Sequence, residues 1–257
     1  MRISLVSYNV NGIRAAIRKG FTEWVKENAF DILCLQELKA HESQLDLETF
    51  KSMGYHIAIC EADKKGYSGV AIFSKLPFRS ILRKHGESND GFHKEGRYIE
   101  ADLGNFTVVS CYFPSGSGGE HRQSIKMEFL DKLEPAFKEI NQKKAALVCG
   151  DFNICHREID IHDPVKNKNT SGFKPEERAW MDDYFDLGYR DCFRQFHSEG
   201  GRYSWWSLRT RAKERNKGWR IDYITAGSKF NYEIIDCDLL EHVPFSDHCP
   251  VYMSIKI

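Results

Sequence analysis

The sequence lacks an excess of charge of either sign, because 37 lysines and arginines balance 37 aspartates and glutamates over 257 residues. Overall charge therefore cannot hold the chain on nucleic acid, and any such binding must come from a local basic region. No apolar run approaches the about 18 residues that a membrane-spanning helix needs. No charged-then-apolar leader begins the sequence. These absences predict a cytoplasmic protein without a signal peptide or membrane span.

Paired cysteine motifs are also missing. The eight cysteines include no C-x-x-C, and five of them lie in or beside apolar runs. We therefore expect buried, reduced thiols in a reducing compartment rather than a disulfide framework. Neither H-E-x-x-H nor H-x-E combined with C-x-x-C is present, which argues against a zinc site. Because no proline- or serine-rich linker divides the chain, we expect one domain spanning residues 1–257.

Polar side chains recur where strand-like segments end. The apolar run 145–149 meets Gly150, which we expect to let the backbone leave the strand tightly. Asp151 and Asn153 then alternate with Phe152, so both can project from one face. An isolated Gly-Asp-x-Asn is more often a turn, but six segments of this kind suggest a site assembled from strand termini. Together they carry Asn9, Asn11, Glu37, Tyr112, Asp151, Asn153, Asp222, Asp247 and His248.

The hydrophobic pattern mixes helices with strands, some of them in hairpins. We predict two sheets packed face to face with helices outside, an α/β sandwich. An open doubly wound sheet fits the hairpins less well, and no glycine fingerprint follows the first strand. A polar loop is expected at 84–96 and a loop of small residues at 115–119. Helices are predicted at 13–29, 41–53, 120–142 and 175–186, and the last strands near 219–225, 232–239 and 250–257.

The chemistry of these side chains indicates a metal and an acid–base group. Glu37, Asn9 and Asp247 offer oxygen ligands of the type that Mg²⁺ prefers. His248 can act as a base or donate to a phosphate, and Asp222 can orient it. A lone histidine in such a turn is more often structural. The carboxylates at neighbouring strand ends favour the functional interpretation here.

A basic region lies at residues 202–220, where seven lysines and arginines face one glutamate. Tyr203, Trp205, Trp206 and Trp219 are interleaved with these bases. Cations beside aromatic rings suit a phosphate backbone together with an exposed or extruded nucleotide. The alternative is a solvated loop whose tryptophans pack inward, and this segment alone leaves both interpretations open.

Several motifs in order along the chain resemble one family, the exonuclease III type of AP endonuclease within the endonuclease/exonuclease/phosphatase superfamily. Gly-Asp-x-Asn at 150–153 and Ser-Asp-His at 246–248 are typical of the superfamily as a whole. Gln-Glu-x-Lys at 36–39 and Gly-Trp-Arg-Ile-Asp at 218–222 are typical of its DNA-repair branch. Further matches are 66–69, 95–97, 169–173 and 205–206.

The resemblance implies a four-layer α/β sandwich with two packed mixed β-sheets flanked by helices. It also implies Mg²⁺-dependent hydrolysis of the phosphodiester 5′ to an abasic site in duplex DNA, leaving a 3′-hydroxyl, with 3′-5′ exonuclease and 3′-phosphodiesterase activity. Mn²⁺ could substitute for Mg²⁺. The implied protein is a monomer that acts on double-stranded DNA with abasic sites or blocked 3′ ends, and it is nucleoid-associated in a bacterium.

The same resemblance assigns roles to individual residues. The implied catalytic residues are Tyr112, Asp151, Asn153, Asp222 and His248, of which Asp151 orients or deprotonates the attacking water. The implied metal site uses Asn9, Glu37, Asp151, Asn153, Asp247 and His248. The implied DNA-binding residues are Asn11, Arg14, Lys39, Tyr67, Arg97, Trp205, Arg209, Trp219 and Ile221, with Trp205, Trp219 and Ile221 enclosing the extruded sugar.

Two departures from the family pattern affect these expectations. Asn11 stands where some members carry Asp, which leaves the number of metal ions open. The loop 115–119 has no large side chain to wedge into a duplex, so we expect Arg209 to do more of the minor-groove work.

Three other functions remain open. The site could act mainly as a 3′-exonuclease or 3′-phosphodiesterase, because pocket shape decides between these activities. A phosphatase of inositol phosphates or lipids is disfavoured by the tryptophan-rich basic segment. A catalytically inactive, nucleic-acid-binding relative would have lost acidic and histidine positions, which are all present.

Overall fold

Two mixed β-sheets form the centre of the protein in the computed structural model, which describes residues 1–83 and 94–257. The first sheet has the strand order β11-β12-β1-β2-β4-β3, where the strands are β1 (Arg2–Asn9), β2 (Ile32–Gln36), β3 (His56–Cys60), β4 (Val70–Ser74), β11 (Glu233–Leu239) and β12 (Val251–Lys256). Among these described strands, only β1 and β2 are parallel neighbours.

The second sheet repeats this arrangement, with one central parallel pair between antiparallel strands. Its order is β5-β6-β7-β8-β10-β9, where the strands are β5 (Ser80–Leu82), β6 (Tyr98–Asp102), β7 (Thr107–Tyr112), β8 (Ala146–Asp151), β9 (Arg190–Asp191) and β10 (Asp222–Ala226). Here β7 and β8 are the parallel pair.

Helices cover the outer faces of both sheets. They are α1 (Ile13–Arg18), α2 (Phe21–Asn28), α3 (Glu48–Ser52), α4 (Glu120–Lys143), α5 (Pro164–Asn167) and α6 (Pro175–Asp186). Strand alternation separates the layers: Ile3 and Leu5 join the core between the sheets, whereas Val6 and Tyr8 join the core beneath α1 and α2. A third core lies between the second sheet and helices α4 and α6. The predicted four-layer α/β sandwich is confirmed.

Some predicted elements have different boundaries. The helix expected at 13–29 is two helices, because Gly20 adopts a left-handed conformation with φ of 101° between them. The segment 41–53 contains a 3₁₀ turn at Glu42–Gln44 and then α3. Strand β10 begins at Asp222 instead of 219. Residues 84–93 of the expected polar loop lie outside the described residues.

Strand register brings the polar strand ends together. Asn9 pairs with Gln36 across the parallel strands β1 and β2. Tyr112 and Asp222 both pair with Asp151, because β7 and β10 flank β8. Gly150 lies within β8 and is not a turn; a Cβ there would lie 1.9 Å from the carbonyl oxygen of Cys111, so only glycine allows this approach of β7.

Two expectations from composition can be examined in the structure. All eight cysteines are buried and reduced, in no disulfide bond. None of the helices within 1–83 and 94–257 combines the length and apolar character that crossing a membrane requires.

Candidate active site at the strand ends

A histidine lies between two buried carboxylates where the sheets end. His248 Nδ1 is 2.8 Å from Asp222 Oδ2, and its Nε2 is 3.9 Å from Asp151 Oδ2. All three side chains are at most 6% exposed. These groups offer ligand atoms within 4.8 Å of one another, so the chain has a possible acidic metal site. The geometry also fits an imidazole that is oriented by one carboxylate and faces the other.

The orientation of Asp222 depends on a serine that the sequence analysis did not select. Ser204 Oγ donates a hydrogen bond to Asp222 Oδ2 at 2.6 Å and accepts hydrogen bonds from the backbone N–H groups of Ile221 and Asp222. The carbonyl oxygen of Ser204 accepts from the N–H of Cys249, next to His248. Ser204 therefore links the chain segment of Asp222 to that of His248, and these two residues are called the dyad below. Its position directly before the predicted Trp205 was the only sequence signal available.

Burial and charge shift the pKa values of His248 and Asp151. Burial alone lowers the pKa of His248, but Asp222, then Asp151 and Asp247, raise it to about 10. The imidazolium is therefore the favoured form near neutral pH. Burial and then Asp222 raise the pKa of Asp151 to about 8, against the opposing effect of His248. A raised pKa makes Asp151 a stronger proton acceptor than an ordinary aspartate.

Glu37 and Asp247 supply ionised oxygen donors near this dyad. Burial raises the pKa of Glu37, but Lys39, 2.6 Å away, makes the net shift downward. In the same way His248, and then a hydrogen bond from Trp205 Nε1, hold the pKa of Asp247 low against burial. The side-chain amide of Asn9 connects Asp151 to Glu37, since it donates to Asp151 Oδ2 at 2.8 Å and to Glu37 Oε1 at 3.2 Å.

Asn11 and Lys39 complete a chain of contacts from Glu37 to Asp247. The Lys39 ammonium also contacts Asn11 Oδ1, and Asn11 Nδ2 donates to Asp247 Oδ1 at 2.8 Å. Asn11, Glu37 and Lys39 have positive φ values of 44°, 52° and 48°. Three non-glycine residues in this conformation are strained, and strain of this kind is typical of functional sites.

Asn153 is fixed next to Asp151. Its backbone N–H donates to Asp151 Oδ1 at 2.8 Å, and its side-chain amide donates to the carbonyl of Phe113 at 2.9 Å. Asn153 also has a positive φ, 53°. Across the site, burial and then Glu37 raise the pKa of Tyr112 far above its ordinary value, so its phenol stays protonated and can donate.

Arg97 lies beneath Tyr112 and does not face the surface. Its guanidinium stacks on the Tyr112 ring at 4.6 Å and donates to the Tyr112 carbonyl, to Glu95 and to the Tyr67 hydroxyl. Arg97 is only 3% exposed. The expectation that Arg97 tracks a DNA backbone stays a prediction, although three of its five N–H groups already donate inside the protein. Its contacts hold Tyr112 and Tyr67.

A cavity of about 290 Å³ opens at these groups. Trp205, Trp219 and Ile221 form its apolar side, and the two indole rings meet edge to face with centroids 6.2 Å apart. Gly172 packs against Trp219, where an added Cβ would lie 3.0 Å from the ring. The rest of the lining includes hydroxyl-bearing residues that were not predicted from the sequence: Ser115, Ser117, Thr170 and Ser171.

The basic segment divides between surface and interior. Arg209 is exposed on a 3₁₀ turn, and Arg14 is exposed on α1. Trp206 is buried in the core between the sheets, in agreement with inward packing for that ring, whereas Trp205 and Trp219 line the cavity. Inward packing therefore applies to Trp206, whereas contact of the other residues with phosphate or nucleotide stays a prediction.

An α/β sandwich with an imidazole between carboxylates, a possible acidic metal site and an open cavity at its strand ends is typical of a phosphoester hydrolase. Comparison with known proteins narrows this class. Residues 6–248 match the model of the endonuclease/exonuclease/phosphatase family, and the chain belongs to that family.

Known relatives agree with this membership. The chain is 40% identical to an exodeoxyribonuclease of Bacillus subtilis, over 99% of this chain and 100% of the relative. It is 31% identical to the DNA repair nuclease APEX1 of Danio rerio, over 99% and 83% of the two chains. The structure of an AP endonuclease from Archaeoglobus fulgidus superposes with a TM-score of 0.87 at 28% identity, covering 99% and 100%. The resemblance to AP endonucleases of the exonuclease III type is confirmed, and the chain is a nuclease.

Proposed function

We propose that this nuclease repairs DNA by hydrolysing the phosphodiester 5′ to an abasic site in duplex DNA, leaving a 3′-hydroxyl. The proposal rests on one observation above all: the cavity lined by Trp205, Trp219 and Ile221 opens directly at His248 and Asp151. A cavity of about 290 Å³ with an aromatic side suits an extruded sugar that lacks its base. The names of the relatives reported above support the same activity.

The metal site fits Mg²⁺ by the chemistry of its donors. Glu37 and Asp247 are carboxylates with low pKa values, and Asn9 adds an amide oxygen. We propose that these residues hold Mg²⁺, for which Mn²⁺ could substitute, with Asp151, Asn153 and His248 as the further candidates. Bound there, the ion would supply Lewis-acid stabilisation of the phosphate charge. For His248 we favour a different role, because an imidazolium has no free lone pair for a metal.

The protein groups around the phosphate have separate roles in the reaction. Asp151, with its raised pKa, accepts a proton from the attacking water. His248 stays an imidazolium through Asp222 and stabilises the charge that develops on the phosphate. The amide of Asn153 and the phenol of Tyr112 donate to phosphate oxygens. These donors are fixed in advance by Phe113 and Arg97, so they need little reorganisation during the reaction.

The face around the cavity carries the DNA contacts. We assign phosphate contacts to Arg14, Lys39 and Tyr67, minor-groove contact to Arg209, and a position beside the metal to Asn11. A single domain over 1–257, a monomeric state and a cytoplasmic, nucleoid-associated location complete the proposal. Size-exclusion chromatography with light scattering tests the monomer.

A second activity is supported by the relative named exodeoxyribonuclease. The same cavity could accept the last nucleotide or a blocking group at a recessed 3′ end, giving 3′-5′ exonuclease and 3′-phosphodiesterase activity. The catalytic groups would act as they do at an abasic site.

Two labelled duplexes separate these activities. One carries a single tetrahydrofuran abasic analogue and the other a normal recessed 3′ end, each incubated with Mg²⁺ or with EDTA. We expect one Mg²⁺-dependent nick 5′ to the analogue. A ladder from the 3′ end without that nick would make the enzyme chiefly an exonuclease. Tight binding without any cleavage would contradict the proposed chemistry.

A further inference from the structure

A fully buried ion pair lies behind the catalytic strand ends. Lys126 of α4 and Glu177 of α6 contact each other, and both side chains are 0% exposed. Lys126 Nζ also donates to the carbonyl oxygen of Asn153 at 2.8 Å. The pair is therefore one hydrogen bond away from a residue that the proposed function places on the phosphate.

Glu177 reaches a second part of the site. Its Oε2 accepts the backbone N–H of Gly172 at 2.6 Å and that of Lys174 at 2.9 Å. Its Oε1 accepts from the amide of Gln123 at 3.1 Å, and Gln123 in turn accepts from Ser171 Oγ at 2.9 Å. Ser171 and Gly172 line the cavity. One buried carboxylate thus fixes the loop that contributes Ser171 and Gly172 to the cavity lining.

Stability alone does not explain such a pair. Replacing a buried ion pair by neutral side chains of similar volume is often neutral or stabilising, because two desolvated charges are costly. What the ammonium supplies is a directed hydrogen bond to Asn153, whose φ of 53° requires support. Asn153 is held at its N–H by Asp151, at its side chain by Phe113 and at its carbonyl by Lys126.

We propose that Lys126 is a positioning residue that sets the orientation of Asn153 toward the scissile phosphate, with Glu177 holding Lys126 and the cavity loop 171–174 in one arrangement. This inference rests on the proposed role of Asn153 in the nuclease reaction. A failure of wild-type cleavage would refute that function, whereas normal cleavage by the variants described next would refute only this inference.

The test needs a variant that folds. Lys126→Met alone would leave the Glu177 carboxylate buried without its partner, which is strongly destabilising. The double variant Lys126→Met/Glu177→Gln removes both charges. The Gln oxygen can still accept from Gly172 and Lys174, and its amide can donate to Gln123 once that side chain flips. The double variant therefore removes the hydrogen bond to the Asn153 carbonyl and offers no substitute donor for it.

We expect this double variant to lose about 10- to 100-fold in single-turnover cleavage of abasic DNA, somewhat less than the loss of about 10²- to 10³-fold that follows removal of a donor to the developing charge. Its KM in a steady-state titration should change by less than about twofold, because the DNA-backbone contacts proposed for Arg14, Lys39 and Tyr67 are unchanged. Its melting temperature should stay near the wild-type value. Lys143→Met, which breaks an exposed pair with Glu139 on the same helix, is the matched control and should cleave normally.

A mutant cycle with Asn153→Ala identifies the route of the effect. If Lys126 acts through Asn153, adding the double substitution to Asn153→Ala should cause no further loss of rate. Independent, multiplying losses would overturn the proposal. So would an unchanged rate in the double variant, or a loss that follows its melting temperature and disappears on cooling.

Discussion

Asp222→Asn tests the electrostatic role of the histidine most sharply. Burial lowers the pKa of His248, and Asp222 is the strongest of the groups that raise it to about 10 from 6.5. This difference corresponds to about 5 kcal/mol in favour of the imidazolium. Removing the carboxylate charge should lower the pKa of His248 toward its ordinary value, because only Asp151 and Asp247 then oppose the effect of burial.

The protonation state of His248 sets the direction of the pH dependence. In the wild type the ring keeps its proton below about pH 10, so this group causes no loss of rate between about pH 6 and 9. In Asp222→Asn the proton leaves as pH rises through about 6.5. At about pH 8 only about 3% of the rings would be charged, which predicts a loss of about 30-fold from protonation alone.

Single-turnover cleavage of abasic duplex with saturating enzyme and Mg²⁺, measured across this pH range, checks the prediction. Because Asp151, the proposed base, has a pKa of about 8, its protonation slows both enzymes as the pH falls, so the prediction concerns the ratio of their rates. The ratio of the variant rate to the wild-type rate should rise as the pH is lowered toward 6. Ser204→Ala is the control, because it removes a hydrogen bond to Asp222 but leaves the charge. A variant profile parallel to that of the wild type would refute the reasoning.

Three other predictions follow from the same structure. Asp151→Asn and His248→Asn should each lower the rate at least about 10²-fold, and near-normal turnover in either would contradict the assignment. Arg209→Ala should weaken binding of abasic DNA in a gel-shift titration, and unchanged affinity and cleavage would exclude its groove contact. Burial opposes ionisation of Asp160, but Arg220 and then Arg194 hold its pKa at about 2, against 3.8. Asp160 thus adds about 2 kcal/mol to the free energy of unfolding above about pH 4, and this contribution is lost as the pH falls toward 2. In urea unfolding, the free energy of unfolding should fall less between pH 4 and pH 2 in Asp160→Asn than in the wild type.

The strand ends could be predicted from the sequence because the signal was local. Each polar residue follows or opens an apolar run, and register then brings the runs side by side, as Asp151 and Asp222 show. The family motifs added the pairing between distant segments, such as His248 with Asp222. The two-sheet architecture followed from hairpins and helices that were visible as periodicity.

Other features depend on tertiary contacts that leave little trace in the sequence. Arg97 is a base among turns, and nothing local indicates that it packs beneath Tyr112. Lys126 gave no signal in the sequence: this lysine is buried on the apolar face of α4, whereas the neighbouring Ile125 is only half-buried. The separation of α1 from α2 at Gly20 could not be predicted from the apolar spacing, because that spacing continues through the glycine.

The central claim is that the cavity beside His248 directs cleavage to an abasic site. One duplex that carries both an internal tetrahydrofuran analogue and a recessed 3′ end on the same 5′-labelled strand lets the two activities compete on one substrate. We predict that the first Mg²⁺-dependent product is a single fragment that ends 5′ to the analogue. Its 3′-hydroxyl should be extended by a polymerase. Progressive shortening from the 3′ end before any internal nick would contradict it.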